Sequence, residues 1–340
     1  MKIKLFLLLV AGMTNSAPLA AAEMSPYRII DTHAHLLAGK QANDILGAAA
    51  DAVSMMQRFN IYQTLVMPPP QTVNQGHDET LESYAGIKQA HSGRFAFLGG
   101  GGSLNVMIQE ALQAGTLSNE LRQRFSMRAK TILQKGAIGF GEMTAEHVSR
   151  RAGHPYVSAP PDHPLFLLLA DLAAEHDVPI DLHMEAISAD LTRPDRLFST
   201  NPGALSENIN GFKRLLTHNP ASKIIWSHAG WDNTGARTVD LMRDLLEVHS
   251  NLYMSLKVRG GTVKDTRPTK KGGRLKGEWK RLIEAFPKRF MIGSDMKYRP
   301  GGRTKGGGLK VYNAILKRLN DDVAENVAYG NAERIFKIAP

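Results

Sequence analysis

LFLLLADLAAEH (165–176) followed at once by VPIDLHME (178–185) is the stretch that decides the fold. The first segment has the periodicity of an amphipathic helix, and the second is an apolar run of strand length that ends in polar residues. The same unit recurs in both directions. Strands are expected at 27–36, 61–67, 94–98, 137–143, 178–185, 223–228, 251–258 and 289–295. Helices are expected at 44–59, 79–91, 107–134, 165–176, 207–217, 237–249 and 278–286, with 309–319 after the last strand. Eight strand-then-helix units in series predict an α/β chain whose parallel sheet closes into a (β/α)8 TIM barrel. An open doubly wound sheet is the alternative. No G-x-G-x-x-G follows the first strand, and the glycines at 99–102 lack the Lys-Ser/Thr of a phosphate loop, so the nucleotide-binding version of that alternative has little support. Residues 99–102 read as a flexible strand-to-helix loop.

Composition narrows the chemistry. With 43% hydrophobic and 22% charged residues over 340 positions, the chain can bury a large core, which excludes a disordered or collagen-like protein. It has 12 His and no Cys, so disulfides, thiolate nucleophiles, iron–sulfur clusters and cysteine zinc fingers are all excluded. Any metal must be held by nitrogen and oxygen. At the N-terminus, Lys2 and Lys4 precede the apolar run Leu5 to Ala11, and small residues end at Ala22. That three-part pattern predicts a signal peptide over 1–22, cleaved on export to the periplasm or the medium, which leaves a single (β/α)8 barrel domain over 23–340. The apolar run is too short for a membrane span, so none is expected after cleavage.

In a parallel barrel the chemistry collects at the C-terminal ends of the strands. The first strand ends Asp31-Thr32-His33-Ala34-His35, and residues two apart share a face, so His33 and His35 are expected to point together into the barrel. The fifth strand brings His183, the sixth His228 and the eighth Asp295. Four imidazoles and a carboxylate at the ends of four strands suit Zn²⁺, Mn²⁺ or a related divalent ion.

This ordered set, His-x-His, His, His and Asp, resembles the metal site of the amidohydrolase superfamily. The segments Ser227-His228-Ala229-Gly230 and Tyr329 to Phe336 resemble its amidohydrolase-related (family 2) branch, which includes lactonases and metal-dependent decarboxylases. The resemblance implies that His33, His35 and His183 or His228 hold one or two divalent ions, Zn²⁺ first, with Mn²⁺ or Co²⁺ as alternatives. It also implies that Asp295 touches the metal and acts as general base toward the attacking water. The fourth strand lacks the carboxylated Lys of many two-metal relatives. Glu142 stands instead where TatD-like relatives place a bridging Glu; it either joins the metal ligands or hydrogen-bonds one of them.

Charge points to the substrate. The formal net charge is +10, yet 257–310 alone holds 17 Lys and Arg against 4 Asp and Glu, so the rest of the chain is net acidic. Lys257 and Arg259 share a face at the end of the seventh strand and are expected to bind a carboxylate or phosphate on a small substrate, with Arg299, and Arg303 beyond it, as further cations. Trp231 is expected to wall the pocket, and Glu185 to orient His183. The leading activity is metal-dependent hydrolysis of an ester, lactone or amide bond in a small anionic substrate. Decarboxylation and TatD-like phosphoester or nuclease cleavage are the enzymatic alternatives, and an exported metal-containing binding protein is the non-enzymatic one. No basic stripe interleaved with aromatics accompanies the charge, which argues against nucleic acid. A homo-oligomer is compatible with the sequence but not required by it.

Overall fold

The structure is a computed structural model and describes residues 25–38, 44–75, 81–259, 261–302, 304 and 306–338. The expected signal peptide and Arg303 lie outside the described residues. Among the described residues eight parallel strands form the body of one sheet: β1 Ile29–Leu36, β2 Ile61–Val66, β3 Phe95–Phe97 with its continuation Gly99–Gly100, β4 Phe140–His147, β5 Pro179–Met184, β6 Lys223–Ala229, β7 Leu252–Leu256 and β8 Phe290–Ile292. Met296–Tyr298 and Val157–Ser158 add short strands to it. β1 pairs with both β2 and β8, and the pairing continues through β7, β6, β5 and β4 to Gly99–Gly100. The two ends of that path meet in one segment. Leu98 N donates to Val66 O of β2 while Ile138 N donates to Phe97 O, so residues 95–100 bond a neighbour on each side. This is the TIM-barrel arrangement expected from the alternation.

The glycines at 99–102 depart from that reading. Gly99 and Gly100 pair with Phe140 and Gly141 and continue the third strand instead of forming a flexible loop. Their smallness serves close packing: a Cβ on Gly101 would meet Pro68 O at 2.5 Å, and one on Gly99 would meet Ile132 at 2.7 Å. The helix expected at 107–134 is also two helices, Leu104–Ala114 and Asn119–Gln134. Gly115 in the left-handed region (φ 67°) ends the first, and Ser118 caps the second by accepting from Leu121 N.

Two apolar cores follow from the strands' alternation. The larger lies between strands and outer helices and takes Ile29, Ala34 and Leu36 of β1 with Ile180, Leu182 and Met184 of β5. The smaller fills the barrel interior with Ile30, Leu65, Leu98, Ile225 and Met291, drawn from strands on opposite sides of the ring. Ile335 and Phe336 of the C-terminal helix Asn331–Phe336 pack against it. Asn331 ties that helix to the start of β8 by donating to Pro287 O and Phe290 O, so the helix closes the N-terminal end of the barrel. Among the described residues no helix is long and apolar enough to cross a membrane.

Candidate active site

β1 does not alternate along its whole length. Ile30 and His33 both face inward although three residues apart, because the β1–β2 register shifts between Asp31 and Ala34. Beyond the shift the two-residue period holds. His33 and His35 are buried, with ring centroids 5.1 Å apart. Each ring is fixed by its Nδ1: His33 Nδ1 lies 3.0 Å from Asp181 Oδ1, and His35 Nδ1 donates to Met67 O at 2.9 Å. Met67 O only accepts, so His35 donates through Nδ1, and with Nδ1 of each ring engaged this way a neutral imidazole turns its Nε2 lone pair into the site.

The other strand ends supply the opposing groups. Glu142 of β4 places Oε2 3.3 Å from His35 Nε2 and 3.6 Å from His33 Nε2, while its Oε1 accepts from His183 Nδ1 at 2.6 Å. His228 Nε2 lies 3.4 Å from His33 Nε2 and 3.7 Å from Glu142 Oε1. Asp295, just past β8, puts Oδ1 3.1 Å from His35 Nε2, and its own N donates to His33 O at 2.8 Å. His228 and Asp295 both hold positive φ, 67° and 49°, a conformation that costs an ordinary residue free energy and recurs where a side chain must be aimed.

These groups fit a divalent cation. His33, Glu142 and His228 form one set of donor atoms within 4.8 Å of one another, and His33, His35 and Asp295 form a second. Nitrogen and oxygen donors about 2.1 Å from a common ion stand ~3.0–3.4 Å apart, close to the separations seen. His35 Nε2 is buried without a hydrogen bond although a carboxylate oxygen lies 3.1 Å away. In a neutral ring two lone pairs face each other there; burial lowers His35, but the pull of Asp295 and Glu142 outweighs it and raises the ring above the usual imidazole value, which favours a positive charge between them, a proton or a metal ion.

The electrostatics agree. Burial alone would raise Glu142, but His33, His183 and His35 overcome it and hold the carboxyl well below its ordinary range. Asp295 behaves likewise: burial raises it, and Lys257, Lys297 and His35 bring it well below. Burial lowers His33, yet Asp181 and Glu142 lift it well above the usual imidazole value, so the carboxylates around this ring favour a positive charge there, whether a proton or a metal ion. His228 is pushed well down by burial, then by Lys257 and His183, and stays neutral with a free lone pair.

Lys257 Nζ sits 2.5 Å from Asp295 Oδ2, and Arg259 Nη2 donates to Asp295 O at 2.8 Å. Both expected substrate cations therefore hold Asp295. Trp231 lines the adjoining cavity, with Lys257 Nζ 4.6 Å and Arg150 Cζ 5.1 Å from its ring centroid. Arg299 is exposed and lines neither cavity at the site. Glu185 accepts from Asn233 N at 3.1 Å and Asn233 Nδ2 at 2.5 Å, and is thus bonded to the loop after β6 instead of to His183.

Three features lay outside the sequence reading. Asp181, which orients His33, shares the inward face of β5 with His183, and the alternation that exposed His183 carried the same signal for it. His147 belongs to β4, which runs past the strand expected at 137–143 because Val157–Ser158 pairs antiparallel with its end. Its ring stands 5.0 Å from His183, and burial, then His183 and His154, lower it well below the imidazole range. Glu146 is buried as well, and its carboxyl is pushed up to about 7, chiefly by burial.

A family model described as Amidohydrolase matches residues 131–338. Among solved structures, a TIM-barrel protein of Bordetella bronchiseptica is 14% identical at a TM-score of 0.53, over 91% of this chain and 98% of its own. A 5-carboxyvanillate decarboxylase of Sphingomonas paucimobilis is 14% identical at 0.52, over 92% and 99%. An N-acyl-D-glutamate deacylase of B. bronchiseptica, complexed with zinc and a phosphonate inhibitor, is 13% identical at 0.53, over 92% and 75%. At these identities the likeness is one of fold. No curated protein matches the chain.

Proposed function

The chain belongs to the amidohydrolase family and is an enzyme of the metal-dependent amidohydrolase type, and from that premise we propose that it hydrolyses an ester, lactone or amide bond of a small anionic substrate. In this reading His33, His35, His183, His228, Glu142 and Asp295 surround one or two divalent ions, Zn²⁺ first among Zn²⁺, Mn²⁺ and Co²⁺. The observation that carries the reading is Asp295, an ionised carboxylate 3.1 Å from His35 Nε2 and 2.5 Å from Lys257 Nζ, lining a cavity of about 260 Å³ together with Glu142 and His183.

A bound divalent ion supplies Lewis acidity, polarising a carbonyl and bringing the pKa of a water toward ~7. The chain's own residues do the rest. Asp295 accepts the proton of the attacking water as the new bond to the carbonyl carbon forms, and returns it to the leaving oxygen or nitrogen as the old bond breaks. Lys257 holds the second oxygen of that carboxylate and fixes its direction. Asp181 and Met67 O hold the imidazoles of His33 and His35 against rotation. In the same reading the 1–22 segment is a signal peptide, and the chemistry takes place in the periplasm or outside the cell.

The test is a pH-stat assay of the metal-loaded protein on esters, lactones and N-acyl amino acids, with released CO₂ trapped in parallel. Asp295→Asn is expected to lower kcat by ~10²–10⁴-fold while most of the metal stays bound. Full activity in that variant, or CO₂ release without hydrolysis, overturns the reading.

A further inference from the structure

Next to the metal-ligand cluster lies a cavity of about 290 Å³ whose lining includes Arg150, Arg151, Lys257, Arg259 and Lys297 against one carboxylate, Glu185. It shares His147, His154, His183 and Lys297 with the cavity that reaches Glu142 and Asp295, so the two spaces join. Five cations around a small space are costly unless something negative enters it. Not all of the five are available to a ligand.

Lys257 and Arg259 are committed to Asp295, one to its carboxylate and the other to its backbone oxygen. Glu185 is committed to Asn233 through both carboxylate oxygens. Lys297 Nζ is 4.0 Å from Asp295 Oδ1, beyond hydrogen-bond reach, and its side chain is 40% exposed. Arg150 rests over the Trp231 ring, and among the described residues no carboxylate pairs with it. Stacking on an indole leaves the edge of a guanidinium free, the edge that forks onto an oxyanion. Lys297 follows β8 and Arg150 follows β4, so the two approach the joined cavities from different strand ends.

We propose that the substrate carries a second oxyanion, a carboxylate or phosphate remote from the bond that is cleaved, and that Arg150 and Lys297 receive it while Lys257 and Arg259 serve Asp295. This rests on the hydrolase reading above, and it makes Arg150 and Lys297 the specificity-determining cations. Both are exposed, so neutral substitutions there spare the core.

The experiment is isothermal titration of the metal-loaded protein, at low ionic strength, with glutarate, monomethyl glutarate and 4-phosphonobutyrate. Glutarate is expected to bind at least about tenfold more tightly than its monomethyl ester. The preference should collapse to under about twofold in Arg150→Gln/Lys297→Gln and persist in Lys270→Gln/Lys271→Gln, a control on the exposed basic loop. Stronger binding of 4-phosphonobutyrate than of glutarate assigns the subsite to phosphate, and the reverse assigns it to carboxylate. Equal affinity of glutarate and its ester, no binding of either, or a preference that survives in Arg150→Gln/Lys297→Gln overturns the inference. Elemental analysis of the same samples separates the two failures: metal present without preference defeats this subsite alone, whereas protein that takes up no metal defeats the hydrolase reading beneath it.

Discussion

The two ends of the barrel solve opposite problems. At the N-terminal end the interior is filled by Ile30, Leu65, Ile225 and Met291 and closed by Ile335 and Phe336, all apolar. At the C-terminal end strands of the same barrel carry His33, His35, Glu142, His183 and His228, all buried, with Asp295 beside them. Apolar burial is additive and forgiving, worth roughly 25 cal/mol per Å², whereas a buried charge is tolerated only when a specific partner meets it. One end therefore stabilises the fold through shape. The other depends on individual pairings, and its groups keep their positions because each has been given a hydrogen bond or a counter-charge.

If that division is right, damage to each end should be read by a different instrument. The largest effect belongs to the closed end. Phe336→Ala, at a position 4% exposed, should cost about 3–5 kcal/mol in chemical denaturation while metal content per folded chain stays unchanged. A loss of metal alongside stability would mean that the two ends are not separable.

The next effect tests the cost of burying a carboxyl without a counter-charge at the open end. Glu146 holds its proton to about pH 7 in the folded chain against an ordinary 4.5, so between those values the folded state binds more protons than the unfolded one. Its contribution is complete below about pH 4.5 and is lost as pH rises to about 7. Urea midpoints at pH 5 and pH 8 should show the wild type losing about 2–3 kcal/mol more than Glu146→Gln over that interval. Parallel pH profiles would show that the carboxyl is solvated after all.

The smallest effect should be silent in stability and loud in metal binding. Asp181→Asn keeps the size of the residue that orients His33 but turns an acceptor-only carboxylate into an amide. Metal affinity by competition with a chelator should fall about 10–100-fold. An unchanged affinity would reduce Asp181 to packing.

How much of this was legible depended on the range of the physics involved. The strand–helix alternation, and with it the barrel, is a periodic signal that every residue of a segment reinforces. So are the inward parities of His33 with His35 and of His183 on β5. Parity failed where the chain departs from regular structure. The shift between Asp31 and Ala34, the break in the third strand at Leu98 and the ending of β7 at Leu256 depend on how neighbouring strands register, which no single segment encodes. Glu146 and His147 lie beyond the strand expected at 137–143, because the strand that extends β4 over them comes from 157–158, beyond a polar, Pro-containing stretch.

The sequence by itself determined the layered α/β architecture, the strand ends at which chemistry can collect, and the nitrogen- and oxygen-only character of any metal site, since these follow from periodicity, composition and the absence of Cys. Only the tertiary structure decided which charges are committed and which are free. Lys257, Arg259, Lys297 and Arg150 are alike as residues in a string, and they differ because Asp295 stands within reach of the first two while Lys297 lies just beyond hydrogen-bond range and Arg150 rests on Trp231. Coulomb interactions in a poorly solvated cleft change steeply with separation, so a difference of an ångström or two, invisible in the sequence, separates a cation that positions the base from one that waits for substrate.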